Sequence, residues 1–505
     1  MVRIKTPRKA DAARIARPRV HEGAARHRGH HGGDLRALLA AQPEYATTRR
    51  LDRLRETEYR RLDDSGQVYL DFTGSSLYGE SQLRRHMAIL SRELLGNPHS
   101  VNPTSSHATE LVESARRRVL EYFNAPVGEY VAIFTANASA ALKLVAEAYP
   151  FRQDGHLLLT LDNHNSVNGI REYARRGGAR VTYVPLLPPD LSVDPGALSG
   201  CLEEKGAGGP RLFAYPLQSN FTGVQHPTAW VEEARALGWH VICDCSAYVA
   251  TNALDLAVTQ PDFVPLSFYK MFGYPTGVGC LLARREALSE LSRPWFAGGT
   301  IVAVSVGGDW HRLAPGYAGF EDGTLNFLAL PAVEIGLDYL EDIGVDVIHT
   351  RVRCLTTWLL QHLRTLGHSN GEPMVRIYGP DRWERRGANI AFNFLDPQGR
   401  IVDERLVDEL ARRHAISLRT GCFCNPGAGE AAFDMEANVG ELPAEGRHMS
   451  IDQYIDAIGL ESGGAIRLSL GLVSNHEDVG RFLEFAQLFR DATPSGGVLP
   501  PRQGC

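Results

Sequence analysis

Cysteine is scarce in this chain, eight in 505 residues. That is too few and too scattered to staple a secreted disulfide fold. No apolar run reaches the ~18 to 20 residues that a membrane span needs, so the membrane is not its solvent. No segment offers a basic start followed by the apolar core of a secretory signal, and the chain reads as cytoplasmic and reduced. Hydrophobic residues at 44% and charged residues at 22% exclude a disordered or fibrous protein. Net charge is -6, yet the first 40 residues carry ten basic against three acidic side chains. The remaining body is acidic, which argues against nucleic acid as the main partner.

Lysine is scarcer still. Of 53 basic side chains only Lys5, Lys9, Lys143, Lys205 and Lys270 are lysine. Where any positive charge suffices, this chain uses arginine, so a retained lysine asks what only a primary amine can do. It can lose its proton and attack a carbonyl, whereas a guanidinium stays charged. Lys270 stands out, because "DFVPLSFYK" brings an apolar strand-like run up to it and Gly-rich sequence follows. Burial there lowers the amine's proton affinity.

Short β-branched runs alternate with amphipathic stretches from "VYLDFTGSSLYG" onward. The expected strands include "YVAIFT", "HLLLTL", "VTYVPL", "RLFAYPL", "WHVICD" and "DFVPLSFY". Alternation of this kind predicts an α/β fold with a mainly parallel sheet covered by helices on both faces. The expected division is a disordered basic arm over 1–45, a large domain over 46–330 whose first segment joins the small lobe, a small α+β domain over 331–490, and a flexible tail over 491–505.

Ligands of open α/β sheets sit beyond the carboxyl ends of the strands. "FTANASAALK" reads as a strand, a tight turn and a helix start, with Asn137 and Ser139 at an anion-binding terminus, although a serine there also serves as an ordinary cap. His164 follows the next strand and could stack on a planar ring or merely face solvent. Asp244 ends an apolar strand, where a carboxylate needs a cationic or hydrogen-bonding partner. A protonated pyridine nitrogen would supply one. A buried lysine, an aspartate for a pyridinium and a phosphate-binding helix start together imply pyridoxal 5'-phosphate. In "LRTGCFCN", Cys422 and Cys424 occupy a Gly-interrupted loop beside Arg419. A nearby guanidinium favours thiolate, and a mobile loop would let it reach a substrate sulfur. No second ligand pair follows at zinc spacing, so no metal is expected.

Residues 68–488 resemble the class V, aspartate-aminotransferase-like cysteine desulfurases, and most of all the amino-terminal domain of the molybdenum cofactor sulfurases. The likeness rests on "GNPHSVN", "IFTANASAALKLVAEAYP", "YPLQSNFTGV", "DFVPLSFYKMFGYPTGVG", "FEDGTLNFL" and above all "LRTGCFCNPGAG". It implies the fold type I of pyridoxal-phosphate-dependent transferases. It also implies Lys270 as the lysine that carries the cofactor, Asp244 as partner of the pyridine nitrogen and His164 as the residue stacked on the ring. Asn137, Ser139, Ser267 and Tyr269 are expected at the phosphate, and Thr324 at the phosphate of the other subunit of a homodimer. Asn220, Arg467 and Arg419 are expected around the substrate carboxylate, with His99 lining the same pocket. Cys424 is the expected sulfur acceptor and Cys422 an accessory. Ala247 stands where many bacterial desulfurases have glutamine, and "GAGE" where the sulfurases tend to have a further cysteine.

The expected activity is conversion of L-cysteine to L-alanine with a persulfide on Cys424. Its sulfur would pass to the molybdenum cofactor or to a biosynthetic acceptor, since the sequence ends at "PPRQGC" where the sulfurases continue into a cofactor-binding domain. Two other readings stay open: another class V reaction (amino transfer, epimerisation or C–S lysis) on a different amino acid, or a non-catalytic scaffold of the same fold.

Overall fold

A computed structural model describes residues 31–204, 208–435 and 462–492 and positions 450, 452, 453, 455, 499, 501 and 502. Lys5, Lys9 and Lys205 lie outside the described residues, as does the expected arm up to residue 30.

Seven strands form the central sheet: β1 (Tyr130–Thr135), β2 (His156–Thr160), β3 (Arg180–Val184), β4 (Arg211–Pro216), β5 (His240–Asp244), β6 (Phe263–Ser267) and β7 (Gly279–Arg284). Their spatial order is β1-β7-β6-β5-β4-β2-β3. Neighbours from β6 through β5, β4 and β2 to β3 are parallel, while β7 runs antiparallel to both β1 and β6. The inner strands are largely apolar because both faces are covered, while the edge strand β3 (RVTYV) is partly exposed. Leu157 and Leu159 point into one core and Leu158 into the other, and Ala214 and Phe213 divide the same way. This is the period of two read out on a sheet buried on both sides. The parallel strands and β1 all end on one edge of the sheet, which collects the polar turns that follow them.

The small lobe carries a four-stranded antiparallel sheet of β8 (Val375–Tyr378), β9 (Asn389–Phe394), β10 (Arg419–Gly421) and β11 (Ala465–Ser469), ordered β8-β9-β11-β10. Val68–Tyr69 pairs in parallel with Ile416–Ser417, and Asp71 bridges to Ser469, so an early segment completes this lobe.

Three boundaries differ from expectation. Ordered structure starts before the "VYLDF" strand, with a helix over His31–Ala41 and a 3₁₀ turn over Pro43–Thr48. Leu38 and Tyr45 are buried, so the later part of the expected arm belongs to the core. Arg351 holds this segment. It is fully buried in the helix Val345–Thr365, donates to Thr48 and Ser474, pairs with Asp52 at 2.7 Å and lies over the Tyr45 ring at 4.4 Å. The helix Pro331–Ile343 starts where the small domain was expected, but it packs on the helices Glu80–Arg92 and Pro103–Tyr122 of the large lobe. The chain leaves that lobe only at Gly344, whose φ of 83° suits glycine. The expected loose tail is held at Arg502, which pairs with Glu404 at 2.6 Å, Asp452 at 2.7 Å and Asp403 at 3.1 Å. Among the described residues no helix is long and apolar enough to cross a membrane.

Candidate active site

Two chambers open at the carboxyl edge of the central sheet. The inner one, about 370 Å3, lies between the ends of β1, β2, β4, β5 and β6. The outer one, about 540 Å3, lies between that edge and the small lobe. His164, Asn220, Tyr269 and Lys270 line both, so they form one cleft with Lys270 at the junction.

The floor of the inner chamber is built by strand ends. β1 turns at Asn137 into the helix Ala138–Ala148, and the Asn137 side chain caps that helix by accepting from the Ala140 amide at 2.9 Å. Ser267, at the end of β6, accepts from the Ala138 amide at 2.9 Å and thereby docks the helix terminus on the sheet. A Cβ on Gly279 would lie 2.5 Å from the Asn137 Cα, so glycine is required for this approach. The hydroxyls of Ser139 and Ser166 meet at 2.6 Å at the rim. Helix terminus and hydroxyls make an anion cradle.

Asp244 ends β5 at 8% exposure and accepts from the Ser246 amide at 3.0 Å. The Ser246 hydroxyl, on the wall of the same chamber, is buried without a partner. The Lys270 amine is held below the usual lysine range, chiefly by its burial; Asp244 opposes that shift and Arg467 adds to it. His164 accepts from the Ser166 amide through Nδ1 at 3.1 Å, which leaves the proton of the neutral ring on Nε2. Burial, then Lys270, lowers this imidazole to about 4. In the unfolded chain it takes up its proton near pH 6.5. Between those values the unfolded state binds more protons, so stability falls as pH drops from about 6.5 to 4. His156 behaves alike, lowered to about 4 by burial and Arg180. Urea unfolding of the cofactor-free protein across this range is expected to show the loss, and His164→Asn to lessen it.

The outer chamber presents Cys424, Arg419 and Arg467. Cys424 is a free thiol, whereas Cys422 is disulfide-bonded. Phe423 and Cys424 both adopt left-handed backbone, with φ of 54° and 53°, a costly conformation for residues with side chains. The loop was expected to be mobile, but specific contacts hold this shape. Asn220 donates to the Phe423 carbonyl at 2.8 Å, the Asn165 amide to the Cys424 carbonyl at 2.7 Å, and Arg467 lies over the Phe423 ring at 4.8 Å. The Asn220 amide also accepts from Asn425 at 2.9 Å. That group, expected at the substrate carboxylate, is thus engaged by the cysteine loop.

Arg467 is 3% exposed and its Nε is buried without a partner. Its Nη2 donates to Asp71 at 2.9 Å, and Arg419 donates to the other oxygen of the same carboxylate at 2.7 Å. Sequence reading passed over Asp71. The available signal was a lone acid in the apolar run "VYLDF". His99 and Thr324 are not brought into this chamber. Both are exposed, and they sit together on the surface, with Asn97 reaching Thr324 at 3.5 Å and His99 against Gly299 beside Gly323.

The donor set fits pyridoxal phosphate. It offers an anion cradle at one end, a carboxylate at the other, a buried amine between them, and an unpartnered Ser246 hydroxyl facing the space.

Comparison with known proteins agrees. The model of the class V aminotransferases matches residues 68–482. Molybdenum cofactor sulfurase of Bos taurus is 36% identical over 471 residues, covering 89% of this chain and 53% of the relative. The Arabidopsis thaliana sulfurase is 35% identical over 474 residues, covering 86% and 57%. The chain thus spans about half the length of these relatives. Among solved structures, a cysteine desulfurase from Thermococcus onnurineus NA1 superposes with a TM-score of 0.71 at 23% identity, over 86% of this chain and 97% of that one. The cysteine desulfurase CsdA of Escherichia coli gives 0.68 at 21% identity, over 87% and 98%. With the fold of those enzymes and a family match across most of its length, the chain belongs to the class V aminotransferases.

Proposed function

We propose that the protein is a pyridoxal-phosphate-dependent cysteine desulfurase, which converts L-cysteine to L-alanine and carries the sulfur away as a persulfide on Cys424. The observation that carries this reading is that Lys270 and Cys424, from different lobes, line one chamber together with the buried Arg467.

Pyridoxal phosphate, when bound, supplies a carbonyl carbon for amine attachment and a conjugated ring that accepts the electrons of the substrate Cα–H bond. The helix terminus at Ala138, with Ser139 and Ser267, would hold its phosphate, and Asp244 would keep its ring nitrogen protonated. His164 lies on the wall where it can cover the ring face. Lys270 would form the covalent link, and its amine, freed by substrate and desolvated, takes the Cα proton. Arg467, which lines the chamber, would orient the substrate carboxylate with the guanidinium N–H groups that Asp71 and the Asn220 carbonyl leave free. Cys424 Sγ attacks the substrate sulfur and the substrate C–S bond breaks. The carbon gains a proton, leaving alanine and Cys424–S–SH, with no external oxidant or reductant required.

Incubation with L-cysteine followed by peptide mass spectrometry is expected to find one added sulfur on the Cys424 peptide, with alanine formed in equal amount. Alanine without that adduct would overturn the reading. The persulfide's acceptor is the molybdenum cofactor or another biosynthetic sulfur acceptor, the first being favoured by the relatives' names. Cytoplasmic residence fits the free thiols of Cys201, Cys243, Cys245, Cys280, Cys354 and Cys424, whereas the disulfide at Cys422 departs from the fully reduced chain expected from the sequence. A homodimer is supported by the joint exposure of His99 and Thr324, of which Thr324 would serve the partner's cofactor phosphate and His99 would line the partner's substrate pocket. Light scattering giving the mass of one chain would exclude it.

A further inference from the structure

β10 and β11 place Arg419 and Arg467 directly opposite one another. Two like charges in that register repel, and one of these guanidiniums is buried, so the pair needs a counter-ion. Asp71 supplies it, reaching in from the segment that bridges to Ser469. One oxygen takes Arg467 at 2.9 Å and the other takes Arg419 at 2.7 Å. A Cβ at position 74 would lie 2.5 Å from Asp71 Oδ2 and 2.7 Å from Arg419 Nη2, so Gly74 keeps this junction open. Two guanidiniums against one carboxylate leave a single positive charge in excess. Lys270 also lines the chamber but is committed to the cofactor in this reading, and the other charged residues add no positive charge, since Glu404, Asp408 and Glu409 outnumber Arg405 and Arg502.

We propose that Asp71 is a positioning residue that sets this excess at one charge, and so selects substrates bearing one anionic group over those bearing two. The selection has a geometric side as well. With Nη2 on Asp71 and Nη1 on the Asn220 carbonyl, Arg467 is held in one orientation, and the guanidinium N–H groups these contacts leave over are matched to one carboxylate. A second anionic group would meet Asp71 and the acidic rim. The proposal rests on the reading of Arg467 as the carboxylate anchor.

The test uses two thiols without an α-amino group, which therefore bind without condensing with the cofactor: 3-mercaptopropionate with one carboxylate and mercaptosuccinate with two. Calorimetry on protein loaded with pyridoxal phosphate measures the ratio of their affinities. Wild type is expected to favour the monoanion. Asp71→Asn should shift the ratio toward the dianion by about tenfold, the scale of one unit charge at a few ångströms in a partly screened site. Asp71→Glu should return it toward wild type. Arg419 is half exposed, so Arg419→Gln keeps the test available if the Asp71 variant does not fold; it should weaken both ligands and the dianion more. An unchanged ratio in Arg419→Gln or in folded Asp71→Asn would overturn the proposal. If Arg467→Ala bound both thiols as wild type does, the anchor reading would fall and take the proposal with it. If the ratios shift as stated while cysteine is not desulfurated, the charge selection stands and the desulfurase reading falls.

Discussion

Lys270→Ala is expected to abolish alanine formation from L-cysteine, by about a thousandfold or more, the scale of losing a positioned proton-transfer group. The visible absorbance of covalently held cofactor should go with it. Lys270→Arg should not rescue either property. A guanidinium keeps its charge where this site lowers the lysine amine by burying it. The side chain lies deep in the cleft, so shortening it relieves a desolvated amine and leaves folding intact, which circular dichroism can check. Persistent turnover in the alanine variant would mean that another amine serves. Lys143, the other described lysine, has a side chain 68% exposed, does not line the cleft and is a poor substitute.

Cys424→Ala separates desulfuration from other reactions of the same fold. Amino transfer, epimerisation and C–S lysis need no thiol on the enzyme, so a variant that still produced alanine from cysteine at the wild-type rate would exclude the persulfide route. The expected result is loss of both alanine and the sulfur adduct, by about a hundredfold or more, with the cofactor absorbance kept. Cys422→Ser should leave the adduct on Cys424. The left-handed backbone at Phe423 and Cys424 makes the geometry demanding, but alanine at 424 preserves the contacts through the Phe423 and Cys424 carbonyls.

The central sheet was legible because burial on both faces leaves near-continuous apolar runs, and Lys270 and Asp244 were legible because each interrupts such a run at its end. Asp71 was not. Its two partners lie hundreds of positions away in β10 and β11, and nothing in "VYLDF" distinguishes an ion-pair carboxylate from a surface one. Asn220 was recognised as a site residue, but that its amide is engaged by Phe423 and Asn425 depends on how two lobes meet. β7 went unassigned because "GVGCLL" opens on glycines, of which Gly279 is needed for close approach to Asn137. The helix His31–Ala41 was masked by the arginine-rich sequence before it, although Leu38 and Tyr45 now explain where its packing comes from.

The arrangement of β7 carries a consequence for how the protein is made. This strand, last of the seven in sequence, is hydrogen-bonded to β1, the first. During synthesis β1 therefore waits with an unpaired inner edge until β7 has emerged, and the turn that builds the anion cradle cannot be fixed against Gly279 before then. Sheet closure by such a distant pair is slow to nucleate and exposes strand edges meanwhile. Chains released before residue 284 should accumulate as aggregation-prone species without cofactor affinity, and the cofactor site should mature as one of the later events in folding.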